Sequence, residues 1–297
     1  MAIFRTENAL RGNRRRACGA SRAGPDAGSH LLRSLLLGVA LILAVPGFSA
    51  TAVASGAQTS ADRSRPVLVA AASDLRFALD ELIGEFQATT GHNVRVTYGS
   101  TGNFTHQIRE GAPFQLFLAA DERYVASLAA DGLTRDQGTL YAVGRLALVA
   151  PRGSLATSSP TLEQILTRLR ASPGKRFAIA NPSHAPYGER AREALQHRGL
   201  WGELQPQLVL GENVSQAAQF ALSGNTVGGL IAWSLALAPA NAARADSTLV
   251  PVDWHRPLKQ SMVLLHGAGA GAVELYDYLQ QAPARAILKR FGFTLPP

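Results

Sequence analysis

Three short segments place hydroxyl and glycine residues where an apolar stretch runs into an amphipathic one. They are Ala70-Ala71-Ala72-Ser73-Asp74, Gly99-Ser100-Thr101-Gly102-Asn103 and Asn181-Pro182-Ser183-His184-Ala185-Pro186-Tyr187-Gly188. The start of a helix exposes unpaired backbone N–H groups and the positive end of its dipole. Three such starts aimed at one point would hold a small oxyanion without any basic side chain. Each segment also has a plainer reading. Ser73 is equally suited to an N-cap, and Asp74 to complementing a helix dipole. The glycines flanking Ser100 and Thr101 would permit a tight turn. Tyr187 could donate its hydroxyl or its N–H, or pack on its own loop. A carboxylate beside a dianion is repulsive, so the Asp74 side chain is expected to turn away and offer only its N–H. His184, alone beside a proline-bounded turn, reads as structural or solvent-facing.

Other chemistries find little support. The chain has no G-x-S-x-G elbow, no H-E-x-x-H and no P-loop. Its seven histidines are scattered. Gly267-Ala268-Gly269-Ala270-Gly271 resembles a phosphate loop only in glycine content and lacks the Lys-Ser/Thr step. No cofactor and no catalytic residue are expected.

The elements around these segments alternate. Val67–Ala71 reads as a strand, followed by a helix with Leu75, Leu79, Leu82 and Phe86 on one face, which Gly91 stops. Val94–Tyr98, Leu116–Ala119, Leu146–Ala150, Phe177–Ala180, Leu208–Leu210, Val227–Ile231 and Ser261–Leu265 read as further strands. Asp121 is placed to cap one intervening helix, and Ser159-Pro160 to open another with proline at the first position. Helices are expected over Glu189–Arg198, Val214–Leu222, Ala272–Gln280 and Ala284–Arg290. Strand–helix alternation of this kind predicts an α/β fold with mostly parallel sheets. Ligands then sit beyond the carboxyl ends of the strands, where all three opening segments fall.

The first 54 residues read differently. Seven arginines precede the uncharged run Leu35–Val45, and Ala50-Thr51-Ala52 and Ala52-Val53-Ala54 follow it. This is the pattern of a secretory signal peptide, and the run is short of the roughly 20 residues of a membrane span. The formal charge of the chain is +8, of which the leader carries +5, so residues 55–297 carry only +3. No basic stripe of the kind nucleic acid requires remains. The single cysteine, Cys18, lies in the leader. A soluble monomer starting near Ser55 is expected, with no disulfide and no thiolate metal site.

Taken in order, further segments join the first three: Gln107-Ile108, Gly111-Ala112-Pro113-Phe114, Ala119-Ala120-Asp121, Gly211-Glu212-Asn213-Val214 and Arg290-Phe291-Gly292-Phe293. The set, from about Pro66 to Thr294, resembles the periplasmic molybdate-binding proteins of ABC transporters, the ModA family of type II periplasmic binding proteins. The resemblance implies two α/β lobes, each a mostly parallel sheet flanked by helices, with one tetrahedral oxyanion in the cleft. On this chain the implied divisions are a signal peptide over 1–54, lobe one over 55–144 plus 247–297, and lobe two over 145–246. The implied donors are Ser73 with the N–H of Asp74, the Ser100-Thr101 step, Tyr187, and the backbone N–H of Val214. The metal would enter only as molybdate or tungstate, held through Ser73, Thr101, Tyr187 and Val214. Some relatives place another tyrosine where this chain has Ala232, so Tyr187 is expected to point into the cleft and supply the missing hydroxyl. The implied function is capture of molybdate, and of tungstate, in the periplasm and delivery to a membrane permease. A binder of another oxyanion such as sulfate or phosphate, or a periplasmic enzyme using the same cleft, remain the alternatives. Hydrogen phosphate would call for a buried acceptor, which makes the orientation of Asp74 the discriminating feature.

Overall fold

The computed structural model describes residues 65–296. The leader, with its expected cleavage site, and Cys18 lie outside them. Two five-stranded sheets organise the chain. In order, the elements of the first stretch are β1 (Val67–Ala72), α1 (Arg76–Thr90), β2 (Val94–Gly99), α2 (Thr101–Arg109), β3 (Leu116–Ala119), α3 (Glu122–Ala130) and β4 (Thr139–Gly144). The chain then crosses through Arg145 into β5 (Leu146–Pro151), α4 (Leu162–Arg170), β6 (Arg176–Ala180), α5 (Pro186–His197), α6 (Trp201–Leu204), β7 (Leu208–Gly211), α7 (Val214–Ala221), β8 (Thr226–Ala232), α8 (Trp233–Leu237), α9 (Pro239–Ala242) and β9 (Ala245–Leu249). It crosses back into β10 (Leu258–Leu264), α10 (Ala270–Tyr278) and α11 (Ala282–Arg290).

The sheets repeat one plan. The first runs β2-β1-β3-β10-β4 and the second β7-β6-β8-β5-β9. In each, one strand opposes the rest: β10 is antiparallel to β3 and β4, and β5 to β8 and β9. The remaining ladders are parallel, which aligns the carboxyl ends of β1, β2 and β3, and likewise those of β6, β7 and β8. Parallel strands are covered on both faces, and β1, β3, β6 and β8 are accordingly almost wholly buried.

The expected return to lobe one at residue 247 is corrected. β9 extends to Leu249 and pairs with β5, so the chain leaves the second sheet only after that residue. Its Asp246-Ser247-Thr248 centre carries no apolar alternation, which hid the strand. The expected start of α4 at Ser159-Pro160 is also corrected. Thr161 is the N-cap, in a capping box with Gln164, and Pro160 stands outside the helix. Reciprocal bonds from two side chains outweigh the preference of proline for the first helical position.

Packing follows the sequence pattern closely in α1. Ala78, Leu79, Leu82, Ile83 and Phe86 are buried, and Gly91 ends the helix at φ 75°, a left-handed conformation that favours glycine. Lobe one carries apolar cores on both faces of its sheet, one around Leu79, Phe86 and Leu275, the other around Phe104, Phe117 and Leu128. The core of lobe two also takes in Ala72 and Ala120 from the strand ends of lobe one. The lobes thus touch through small apolar residues beside the strand termini. None of the helices among the described residues is long and apolar enough to cross a membrane.

Candidate oxyanion site

β1 ends in alanines and passes into a short 3-10 turn, Ser73–Leu75. Ser73 is buried, but it is not the N-cap. Ala72 takes that place, with no side-chain cap bond. The Ser73 hydroxyl instead accepts from Ser215 N of lobe two at 3.2 Å, while Ser215 Oγ donates to the Ser73 carbonyl at 2.8 Å. The hydroxyl hydrogen of Ser73 has no protein acceptor among the described residues.

At the end of β2, Ser100 caps α2 and accepts from Asn103 N at 3.3 Å. Its Oγ also lies 2.8 Å from His184 Nδ1 and 3.2 Å from the His184 carbonyl. The expectation of a Ser100 contact to the anion is corrected for the side chain, whose hydroxyl is consumed by the cap and by His184. Thr101 is better placed. Its Oγ1 accepts from Ala120 N at 3.0 Å, leaving the hydroxyl hydrogen and the first-turn N–H unassigned. Gly102 N donates to the His184 carbonyl at 2.9 Å, and a Cβ at Gly102 would lie 2.6 Å from that oxygen. Glycine is therefore required for the two lobes to meet here.

The third wall is α5, which begins at Pro186, three residues earlier than expected, because proline suits the first helical position. The first helical donation comes from Glu189 N to the Ala185 carbonyl, and Tyr187 N–H at the helix start has no protein acceptor among the described residues. The ring is buried, but the hydroxyl does not await an anion. It donates to Asp74 Oδ2 at 3.0 Å. The expected compensation for Ala232 by the Tyr187 hydroxyl is thus overturned, since a phenol has one hydrogen and Asp74 takes it. The fourth wall is α7. Asn213 caps it by accepting from Gln216 N, and the N–H of buried Val214 has no protein partner among the described residues.

These walls converge on one small pocket, lined by Ser73, Asp74, Ser100, Thr101, Tyr187 and Val214 together with small residues at the strand ends. No lysine or arginine lines it. A larger open groove of about 530 Å³ runs past Arg109, Arg123 and Arg192. The first two of these already pair with Asp131, Asp121 and Glu189, and the helix starts do not converge there. Among the described residues there is no cluster of His, Cys, Asp and Glu able to hold a metal ion.

The Asp74 side chain, expected to turn away and offer only its N–H, lies fully inside the protein. Oδ2 accepts from Tyr187 and, at 2.6 Å, from Gln260 Nε2, while Tyr141 donates to Gln260 Oε1 at 2.8 Å. Oδ1 is buried without a partner. Burial raises the Asp74 pKa to about 6, held back by the bonds from Gln260 and Tyr187. Burial, and next the Asp74 charge, pushes the Tyr187 phenol well above its ordinary range, so it stays a donor. Gln260, Tyr141 and Ser215 escaped the sequence reading. Gln260 lies within β10, between Lys259 and Ser261, and only its complete burial distinguishes it from a solvated strand residue.

Two α/β lobes closing on a cavity walled by helix starts define a solute-binding protein of the two-lobed type. Residues 67–294 match the family described as bacterial extracellular solute-binding protein, and the chain belongs to that family. It is 32% identical over 247 residues to the Molybdate-binding protein ModA of Azotobacter vinelandii, covering 82% of this chain and 96% of that one. It is 34% identical over 232 residues to the protein of the same name from Rhodobacter capsulatus, covering 77% and 88%. The solved Azotobacter vinelandii periplasmic molybdate-binding protein superposes with a TM-score of 0.68 at 29% identity, over 78% of this chain and all of that one. The sulfate-binding protein SubI from Mycobacterium tuberculosis H37Rv shares the fold, with a TM-score of 0.63 at 14% identity over 77% of this chain and 86% of that one. The family resemblance carried by the ordered segments is borne out by these relatives.

Proposed function

We propose that this protein captures molybdate, and the similarly sized tungstate, in the periplasm and delivers it to the membrane permease of an ABC transporter. The observation that carries the reading is the convergence of unassigned donors on a cavity without cations. These are the hydroxyls of Ser73 and Thr101 and the N–H groups of Thr101, Tyr187 and Val214. A dianion held by N–H and O–H donors gains charge-assisted hydrogen bonds. No cofactor is required. Sulfate has the same charge and shape but is smaller, so the cavity must discriminate by size. The relatives named for molybdate, at 32% and 34% identity over nearly their whole length, support the choice of ion. The interlobe bonds fit a hinge that buries the ion on closure, with the protein acting as a monomer that presents both lobes to the permease.

The second reading, hydrogen phosphate, is favoured by one feature, the unpartnered Asp74 Oδ1 that could accept its proton. Calorimetric titration of residues 55–297 with molybdate, tungstate, sulfate and phosphate separates the two. Molybdate and tungstate are expected to bind at least a hundredfold more tightly than the others. Tighter phosphate binding would establish the second reading, and no binding of any of the four would refute both.

A further inference from the structure

The open groove of about 530 Å³ shares no lining residue with the oxyanion pocket. One wall belongs to lobe one, with Arg109 of α2 and Arg123 and Tyr124 of α3. The other belongs to lobe two, where Glu189 and Arg192 lie about one turn apart on α5. Three guanidiniums therefore line the groove against one carboxylate, and that carboxylate is already engaged. Glu189 pairs with Arg123, Arg190 and Arg256. The neighbouring acids are engaged as well. Asp131 pairs with Arg109, Asp121 with Arg123 and Arg190, and Glu193 with Arg190 and Arg256. Arg192 is the cation left over. It is half-buried, and its guanidinium has no carboxylate or hydrogen-bond partner among the described residues. The Tyr124 hydroxyl is without a protein partner there too.

Guanidinium is the side-chain group best matched to a carboxylate, which it meets through two parallel N–H donors. The three at this groove come from three helices, so they suit a molecule with separate anionic groups better than one compact ion. The volume suits a small molecule, since ligand pockets run to roughly 300–1,000 Å³. We propose that the groove is a second ligand site, taking a small organic polycarboxylate that bridges the lobes. One carboxylate pairs with Arg192 of lobe two, and the others with Arg109 and Arg123 of lobe one. Tyr124 adds a hydroxyl donor. Arg109 and Arg123 are about half exposed, where an ion pair is worth little, so the ligand shares them with their present partners at small cost. The two sites are separate, and either can exist without the other.

The test is calorimetric titration of the protein with tricarballylate at fixed ionic strength, with and without bound molybdate. This tricarboxylate has no hydroxyl with which to chelate molybdate. One molecule per chain is expected to bind, within threefold of the same affinity in both states. Propionate, with a single carboxylate, is expected to bind at least tenfold more weakly. Arg192→Ala is expected to weaken tricarballylate binding at least tenfold. Arg170→Ala, which removes an exposed arginine of α4 outside the groove, is expected to leave it within twofold. Absence of saturable binding overturns the proposal, and so does an Arg192→Ala variant that binds as well as wild type. One-for-one competition with molybdate would put the tricarboxylate in the oxyanion pocket and also overturn it. Tricarballylate binding to a protein that takes no molybdate would leave this site standing and strike the functional reading instead. Should Arg192→Ala fail to fold, Arg109→Ala removes a cation from the opposite wall and carries the same expectation.

Discussion

The donors left unassigned at this site are neutral groups, and the proposed binding through them can be measured residue by residue. Ser73→Ala and Thr101→Ala each remove one hydroxyl aimed at a charged ligand. Each is expected to cost about 1.5–3 kcal/mol, or roughly ten- to a hundredfold in molybdate affinity. Titration of both variants checks this, and a change below threefold in both would place the ion elsewhere. Asp74 makes a separate prediction about stability. Its folded pKa, about 6, lies above the ordinary 3.8, so between those values the folded state binds more protons than the unfolded state. Stability from this group therefore falls as pH rises through that window. Two pKa units at about 1.4 kcal/mol each amount to about 3 kcal/mol. Chemical denaturation without ligand should show Asp74→Asn gaining about that much on the wild type between pH 4 and pH 7.5. A pH-independent difference would mean that Asp74 is not held in the dry environment described.

The elements converge because each strand–helix junction brings an unpaired helix start to the same end of its sheet. The starts of α2, α5 and α7 and the turn after β1 come from both lobes, so the site is complete only when the lobes meet. The meeting point is narrow at Gly102, whose N–H donates to His184 across the cleft. Gly102→Ala would press a methyl group against a backbone carbonyl, which has no rotamer to escape into. Closure should suffer while each lobe stays folded. Expected are a loss of molybdate affinity of at least tenfold and a ligand-free melting temperature within a few degrees of wild type. Unchanged affinity would show that the α2–His184 contact opens without consequence. This requirement was half visible in the sequence. Gly99-Ser100-Thr101-Gly102 announced a close backbone approach, but the partner lies 82 residues further along the chain and no local pattern names it.

Across the whole molecule, charge holds the lobes together at the mouth of the cleft. Asp121 of lobe one caps α3 and pairs with Arg190 of α5 at 2.6 Å, both almost fully buried, and with the more exposed Arg123 at 2.8 Å. Arg123 also reaches Glu189 of lobe two, and Arg256, on the segment returning to β10, reaches Glu189 and Glu193. Deleting one partner of a buried pair is costly because it leaves the other charge less well compensated, and without Arg190 Asp121 keeps only the half-exposed Arg123. Arg190→Ala is therefore expected to open the ligand-free protein and lower its stability. Small-angle scattering should show a larger radius of gyration that molybdate brings back to the wild-type value. A ligand-free variant as compact as wild type would mean that the apolar contacts of Ala72 and Ala120 suffice for closure.

The sequence by itself determined the α/β class, most strands and helices, and the three opening segments around the pocket, because these depend on local periodicity, caps and turn residues. Ser73, Thr101 and Tyr187 were legible for that reason, each where a strand becomes a helix, whereas Val214 entered only through the family resemblance. The tertiary structure alone decided which atoms remain available. The Tyr187 hydroxyl goes to Asp74, the Ser100 hydroxyl to its cap and His184, and the Ser73 hydroxyl receives Ser215. Each partner is distant in sequence, and a hydroxyl has only one hydrogen to give, so its use is settled by whichever acceptor the fold brings near. Burial of Gln260 and Tyr141 behind Asp74 is likewise a property of two packed sheets. That packing turns an ordinary helix-start aspartate into a carboxyl with one oxygen committed and one left facing no partner.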